Sequence, residues 1–137
     1  MASPDIDLVL RCFDAFDKRD VNMLLELVQP DVEVRSLMTE PERPIYSGHE
    51  GVRDWMSAVV DIFPDWRPTP TELRPVGDDA VLIEMDVLAT AATSRVPIDQ
   101  RFWAAVIIRD DKLSWFGFFR NEEDALDAVA SRRLLQP

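Results

Sequence analysis

The sequence predicts a single α+β domain in which two helices, a strand and a third helix precede a run of strands and a closing helix. Apolar residues recur at spacings of three and four near the start of the chain and again after Ser47, which is the helical period. Beyond Pro64 this period gives way to apolar stretches separated by turn residues. A length of 137 residues with 47% hydrophobic content is enough for one packed core.

Two helices are predicted to open the chain. Ser3 and Pro4 form a start signal, and the stripe that follows has helical spacing: Ile6, Val9, Leu10, Phe13 and Phe16. Asp20 is predicted to cap a second, short helix. The inward residues of this helix extend to Val28, before Pro30.

A half-buried strand is predicted at Asp31 to Ser36, where apolar and charged residues alternate. A long loop follows it. Ser47 and Glu50 then have the spacing of a capping box, which predicts a third helix from this point to Pro64.

The second half is predicted to form long antiparallel strands followed by a helix. Turn residues lie at 77–79, around 91–97 and at Asp110 and Asp111. Residues 66–76 are counted as a strand despite their prolines. Asn121 is predicted to start the closing helix, with Arg132 and Arg133 in its last turn.

Composition excludes several classes of function. A formal net charge of -11 opposes binding to nucleic acid and to anionic membrane surfaces. No secretory signal and no apolar stretch of membrane-spanning length occurs, so we expect a soluble, cytoplasmic protein. Cys12 is the only cysteine and His49 the only histidine, so the sequence predicts no metal site.

Three segments resemble the SnoaL-like branch of the nuclear transport factor 2-like superfamily: FDAFDKRDVNMLLELVQPDVEV, YSGHEGVRDWM and RDDKLSWFGFFRNEEDALDAV. The resemblance covers nearly the whole chain. Residues 1–137 are therefore predicted to form one SnoaL-like domain. It implies a cone, in which a curved antiparallel sheet wraps against helices around a deep apolar pocket. Members of the superfamily include polyketide cyclases, ketosteroid isomerases, epoxide hydrolases and dehydratases, so the fold alone does not define the reaction.

Comparison with the ketosteroid isomerases implies that their catalytic groups are missing. Their tyrosine falls on Cys12, their general base on Ser36, and their protonated aspartate near Ala105. Two residues remain as catalytic candidates near these positions. Glu40 is either a replacement base or a solvated loop residue, and His49 is either an acid-base group or a packing residue at the start of its helix.

Strand alternation and the isomerase-like register predict which side chains face the pocket. Arg101, Trp103 and Ala105 are expected to point inward. Asp99 lies on the same face of this strand and is the third catalytic candidate. An alternative for Arg101 is a surface salt bridge with Asp86 or Asp99. The predicted ligand-binding residues are Cys12, Phe16, Ser36, Trp55, Arg101, Trp103, Phe116, Phe118 and Arg120.

Apolar residues on the other face of the last strand predict a homodimer. Trp115, Gly117 and Phe119 are apolar too, so both faces of this strand must be covered. One domain of this size is not expected to cover both faces alone. We therefore expect a second subunit on the outer face of the sheet, as the resemblance also implies.

Two functions remain open at the level of sequence. The first is a cofactor-independent enzyme of the isomerase, cyclase, hydratase or hydrolase type, acting on a small hydrophobic carbonyl-like compound. The second is a non-catalytic ligand-binding or accessory protein of the same fold. A cavity that contains Glu40, Asp86, Asp99 or His49 would favour the first.

Overall fold

The computed structural model describes residues 4–37 and 43–135, which form four helices and one six-stranded sheet. Along the chain the elements are α1 (Pro4–Lys18), α2 (Val21–Leu25), β1 (Val28–Arg35), β2 (Ile45–Ser47), α3 (Gly48–Ile62), β3 (Arg67–Val76), β4 (Ala80–Thr90), β5 (Pro97–Arg109), β6 (Lys112–Phe119) and α4 (Glu122–Leu135). The strand order is β2-β1-β6-β5-β4-β3, in which only β1 and β6 run parallel.

The sheet is curved and open, and helices cover both of its faces. The main core lies on the concave face, where α1 and α3 pack over the inward side chains of β1, β4, β5 and β6. A second, smaller core lies on the outer face beneath α4. The predicted α+β cone is confirmed. The short strand β2 adds one element to the predicted order.

The first two helices form where the sequence predicts them, but the second ends early. The Asp20 side chain accepts a hydrogen bond from the Met23 backbone N–H at 3.0 Å, as an N-cap should. Helix α2 nevertheless stops at Leu25, and Val28 already pairs with Leu113 as the first residue of β1. The predicted inward helical role of Val28 is therefore wrong. Pro30 is tolerated because it lies within an irregularity of the strand pairing.

The predicted capping box at Ser47 does not form. Ser47 has an extended backbone and its side chain makes no capping hydrogen bond, although it is the N-cap residue of α3. The reason is its pairing with Glu33, which makes Ser47 the last residue of β2. The chain turns from β2 directly into α3 at Gly48, whose positive φ of 72° suits glycine.

The prolines of β3 are compatible with a strand because β3 is an edge. It pairs only with β4, so proline costs no ladder bond on the open side. Proline on an edge also opposes unwanted pairing with other chains. Counting residues 66–76 as a strand was thus nearly correct, with β3 covering Arg67–Val76.

A β-bulge after the β5–β6 turn decides which side chains face inward. Asp110 and Asp111 both have positive φ and form the predicted tight turn. Ile108 pairs with Leu113, but Ile107 pairs with Trp115, which leaves Ser114 as an extra residue. The Ser114 hydroxyl donates to the Ile107 carbonyl at 3.2 Å, which satisfies this buried side chain. The bulge shifts the pairing of the two strands by one residue.

This shift overturns the predicted orientation of β5. Without a bulge, Ala105 would pair with Phe116 and share its inward face. With it, Ala105 pairs with Gly117 and Trp103 with Phe119, and both belong to the outer core beneath α4. Phe102, Ala104 and Val106 belong to the inner core instead. The inward prediction for Arg101, Trp103 and Ala105 is therefore wrong.

The closing helix α4 covers the outer face of β6. Asn121 caps it, since its side chain accepts a hydrogen bond from the Asp124 N–H at 2.8 Å. Ala125 and Val129 pack on Trp115 and Phe119, which are almost fully buried. The argument that one chain cannot cover both faces is therefore wrong. The homodimer stays a prediction without that support.

Ion pairs fix α4 in this position. Arg132 pairs with Glu33 of β1 at 3.1 Å, and Arg133 pairs with Asp79 at 2.5 Å. Arg133 also donates to the Val76 carbonyl. These partly buried contacts tie the last turns of α4 to β1 on one side of the sheet and to the β3–β4 turn on the other. Within the described ranges, no helix combines the length and apolar character needed to cross a membrane.

Candidate functional site

A cavity of about 610 Å³ opens at the wide end of the cone, and we call it the mouth cavity. Its wall is formed by Leu37 after β1, by Phe63 after α3, by the first half of β5 and by Arg120 after β6. The lining residues are Leu37, Phe63, Ile98, Gln100, Arg101, Phe102 and Arg120.

The mouth cavity exists because β5 is longer than β6. The last pair of the two strands is Trp103 with Phe119, so β5 residues before Trp103 pair only with β4. Ile98, Gln100 and Phe102 alternate onto the inner face of this extension. Arg120 follows the outward Phe119, and the same alternation brings it to the inner side. The open edge of β5 thus becomes a wall of the cavity.

Below the mouth cavity the cone is filled with aromatic side chains. The Phe16 ring lies 5.6 Å from Trp55 and 5.6 Å from Trp66, measured between centroids. Phe116 and Phe118 contact the same ring at 6.4 Å. The void left among these side chains is only about 10 Å³, smaller than a drug-sized ligand by more than an order of magnitude. In this structure Phe16, Trp55, Phe116 and Phe118 are core residues.

Ser36 and Cys12 are also buried in this core. The Trp55 indole N–H donates to the Ser36 hydroxyl at 3.1 Å, and both residues are fully inaccessible to solvent. This bond explains a serine at the end of a buried strand, because an unpaired indole N–H there would be costly. Burial raises the pKa of the Cys12 thiol to about 12, and the charge of Arg11 only partly opposes this.

We expect Cys12 to be unreactive in the folded protein. At pH 8 a chromogenic disulfide reagent should label no thiol in the native chain and one thiol per chain in concentrated urea, because the reactive species is the thiolate. The stability contributed by the neutral thiol is fully present below its ordinary pKa of 9.0 and is lost as the pH rises towards about 12. Rapid labelling of the native protein would show that the core opens far more readily than this packing implies.

Arg101 lies on the outer face of β5 and forms a salt-bridge network. Its Nη1 is 2.9 Å from the Glu84 carboxylate and its Nε is 3.2 Å from that of Asp86. The hydrogen bond to Asp86, with the charges of Asp86 and Glu84, raises the pKa of Arg101. The surface salt bridge to Asp86 therefore forms, as the alternative predicted. Arg101 also borders the mouth cavity, since it lies on the unpaired edge of β5.

Of the three predicted catalytic residues, His49 and Asp99 are described by the structure, and neither lines the mouth cavity. His49 lies in the first turn of α3, with Nε2 3.4 Å from the Val28 carbonyl oxygen. Phe63, at the other end of α3, lines the mouth cavity, so about 20 Å of helix separates His49 from it. Asp99 is exposed on the outer face opposite Leu88. Glu40 lies outside the described residues.

Five of the seven lining residues were missed from the sequence: Leu37, Phe63, Ile98, Gln100 and Phe102. Ile98, Gln100 and Phe102 were missed because the bulge at Ser114 shifts β6 by one residue against β5, so the inward residues of β5 are not those expected from Phe116 and Phe118. Leu37 and Phe63 follow the ends of β1 and α3, where periodicity carries no signal. A serine on an otherwise apolar strand just after a tight turn is the one local hint of such a bulge.

Other clefts carry polar groups that already have structural partners. A cleft of about 450 Å³ contains Arg19, which donates to the carbonyl oxygens of Phe16 at 2.8 Å and Pro64 at 3.3 Å. Asp17 in the same cleft pairs with Arg67 at 3.3 Å. Over the part of the chain that the structure describes, no cluster of His, Cys, Asp or Glu is arranged to hold a metal ion.

The sequence profile of the SnoaL-like domain matches residues 9–115, so this chain belongs to the SnoaL-like family. Among solved structures, it is similar to TerC, co-crystallised with polyporic acid, with 21% identity and a TM-score of 0.77 over 98% of this chain and 100% of that one. A nuclear transport factor 2-like protein of unknown function from Burkholderia pseudomallei has 17% identity and a TM-score of 0.78, over 94% and 97%.

A third similar structure is IdmH from Streptomyces antibioticus, a proposed polyketide cyclase, with 19% identity and a TM-score of 0.70 over 94% of this chain and 99% of that one. These likenesses establish the nuclear transport factor 2-like fold of the chain. A search of curated proteins returned no match to the sequence.

Proposed function

We propose that this chain binds a small hydrophobic molecule in the mouth cavity. The observation that carries the proposal is a cavity of about 610 Å³ whose described lining combines four apolar side chains with three polar ones. That volume lies within the roughly 300–1,000 Å³ of typical small-molecule sites. The closed core below it implies that the ligand sits at the mouth, not deep in the cone.

The lining defines the kind of ligand that fits. Leu37, Phe63, Ile98 and Phe102 offer contact to an apolar body, while Gln100 and Arg120 offer hydrogen-bond donors. A carbonyl, enolate or carboxylate oxygen would satisfy these donors. Relatives support a ligand of this type, since TerC was crystallised with polyporic acid and IdmH is a proposed polyketide cyclase.

The second candidate is catalysis of the cyclase, isomerase, hydratase or hydrolase type without a cofactor, favoured by the cyclase relative. Among the described lining residues no carboxylate or imidazole is present to move a proton. The residues that the resemblance places in isomerase roles are Cys12, Ser36 and Ala105, and all three are buried in the two cores. Binding without catalysis is therefore the first proposal. Turnover of a bound compound, abolished by Glu40→Gln, would instead establish the second.

A neutral fluorescent probe tests binding at the mouth cavity. N-phenylnaphthylamine should bind the wild-type chain in a one-to-one ratio, and Phe63→Ser should weaken it by about tenfold or more, because a large aromatic contact is lost. Leu88→Ser is the matched control, since Leu88 is exposed and lines the separate cleft near Arg19. Equal affinities for the two variants, or no binding by the wild type, would remove the mouth cavity as the ligand site.

A further inference from the structure

Arg120 carries the one guanidinium of the mouth cavity that lacks a carboxylate partner among the described residues. It follows Phe119 at the end of β6, is exposed, and lines the cavity beside the unpaired start of β5. Of the ion pairs formed within residues 4–37 and 43–135, none includes Arg120. With respect to the residues that the structure describes, its five donors are therefore available to a ligand.

The other guanidinium of the cavity is already neutralised. Arg101 is held between Glu84 and Asp86, on the outer side of β5. An anion that approached Arg101 would also approach two carboxylates, so little net attraction remains there. An anion in the mouth cavity is therefore attracted more strongly by Arg120 than by Arg101.

The remaining polar groups of the wall do not oppose an anion. No acidic residue occurs among the described lining residues, and Gln100 can donate through its amide. The carbonyls at the nearby end of α3 are occupied: Ile62 accepts from the Ala92 N–H at 2.9 Å and Phe63 from the Trp66 N–H at 3.0 Å. The partial negative charge of this helix end is thus partly satisfied before any ligand arrives.

We propose that Arg120 binds an anionic oxygen group of the ligand, so that the mouth cavity selects hydrophobic acids and enolates over neutral compounds of the same shape. This inference rests on the proposed function of the cavity. The formal charge of -11 repels anions at long range, but at physiological ionic strength this repulsion is screened beyond about 8 Å. At contact distance the guanidinium dominates, because its donors bond directly to the anion.

Two fluorescent probes with the same aromatic body distinguish this proposal from simple hydrophobic binding. Anilinonaphthalene sulfonate carries an anionic group, whereas N-phenylnaphthylamine is neutral. We expect Arg120→Gln to lower the affinity for the sulfonate by about 10- to 100-fold, which corresponds to the loss of a hydrogen bond to a charged group. The affinity for the neutral probe should change by less than about twofold. Arg95→Gln is the charge-matched control, because it removes one exposed cation outside the mouth cavity.

The outcomes separate the anion site from the cavity itself. Unchanged sulfonate affinity in Arg120→Gln, an equal loss in Arg95→Gln, or an equal loss for both probes would overturn the role of Arg120. Binding of the neutral probe without binding of the sulfonate would overturn it as well, while the proposed function stands. If the wild-type chain binds neither probe, both proposals fail. Unfolding of each variant by urea should match the wild type, which confirms that the fold is intact.

Discussion

Replacing Phe16 with alanine is expected to lower the free energy of unfolding by about 3–5 kcal/mol. The ring of Phe16 contacts those of Phe13, Trp55 and Trp66 at centroid distances of 5.4–5.6 Å, and it is only 2% exposed. Its neighbours come from α1, α3 and the sheet, so they cannot all move inward to fill the space. The lost contacts and the new void both contribute to the cost.

Urea unfolding followed by tryptophan fluorescence measures this loss, with Phe63→Ala as the control. Phe63 is only partly buried at the mouth cavity, so its replacement should cost less than about 2 kcal/mol. The void in Phe16→Ala should also admit benzene, which would raise the melting temperature of this variant and not that of the wild type. A loss below about 1 kcal/mol would mean that Phe16 borders an open ligand pocket, as the sequence first suggested.

Replacing Val129 with aspartate is expected to detach α4 from the sheet, at a cost of at least about 3 kcal/mol. Val129 is 2% exposed and packs with Trp115 and Phe119 in the outer core. A carboxylate there would be surrounded by the apolar side chains of the outer core, and desolvation of a charge is costly even though the Arg35 guanidinium lies 5.4 Å from the Phe119 ring centroid. The α4 ion pairs of Arg132 and Arg133 are partly exposed and cannot offset this cost.

The matched control is Ala130→Asp, on the exposed side of α4 one residue further along. It introduces the same side chain into the same helix and should lower stability by no more than about 1 kcal/mol, because alanine is the better helix former. Sedimentation should show self-association of Val129→Asp, because detachment of α4 exposes a contiguous apolar surface. Equal stability of the two variants would show that α4 does not cover the sheet. The same measurement on the wild-type chain tests the predicted homodimer.

The sequence predicted the candidate site less well than the fold, and particular residues show why. Arg120 was expected at the pocket and lines the mouth cavity, whereas Arg101, which was expected to point inward, forms a salt bridge on the outer face and only borders the cavity. Phe16, Trp55 and Phe118 were expected to surround a ligand, but they surround one another. Periodicity identifies a side chain that faces the interior. Whether the interior is filled or empty depends on the packing of elements that are distant in sequence.

Local signals in the sequence determined the elements of this protein: helical stripes, the caps at Asp20 and Asn121, and the turn at Asp110 and Asp111. These features act within a few residues, so they survive without the rest of the chain. Three features required the tertiary structure: the bulge at Ser114, the unpaired start of β5, and α4 over the outer face. Each depends on strands or helices that meet from separate parts of the chain. One extra residue at Ser114 in β6 put Trp103 and Ala105 of β5 opposite the outward residues Phe119 and Gly117, because side chains on a strand alternate with a period of two.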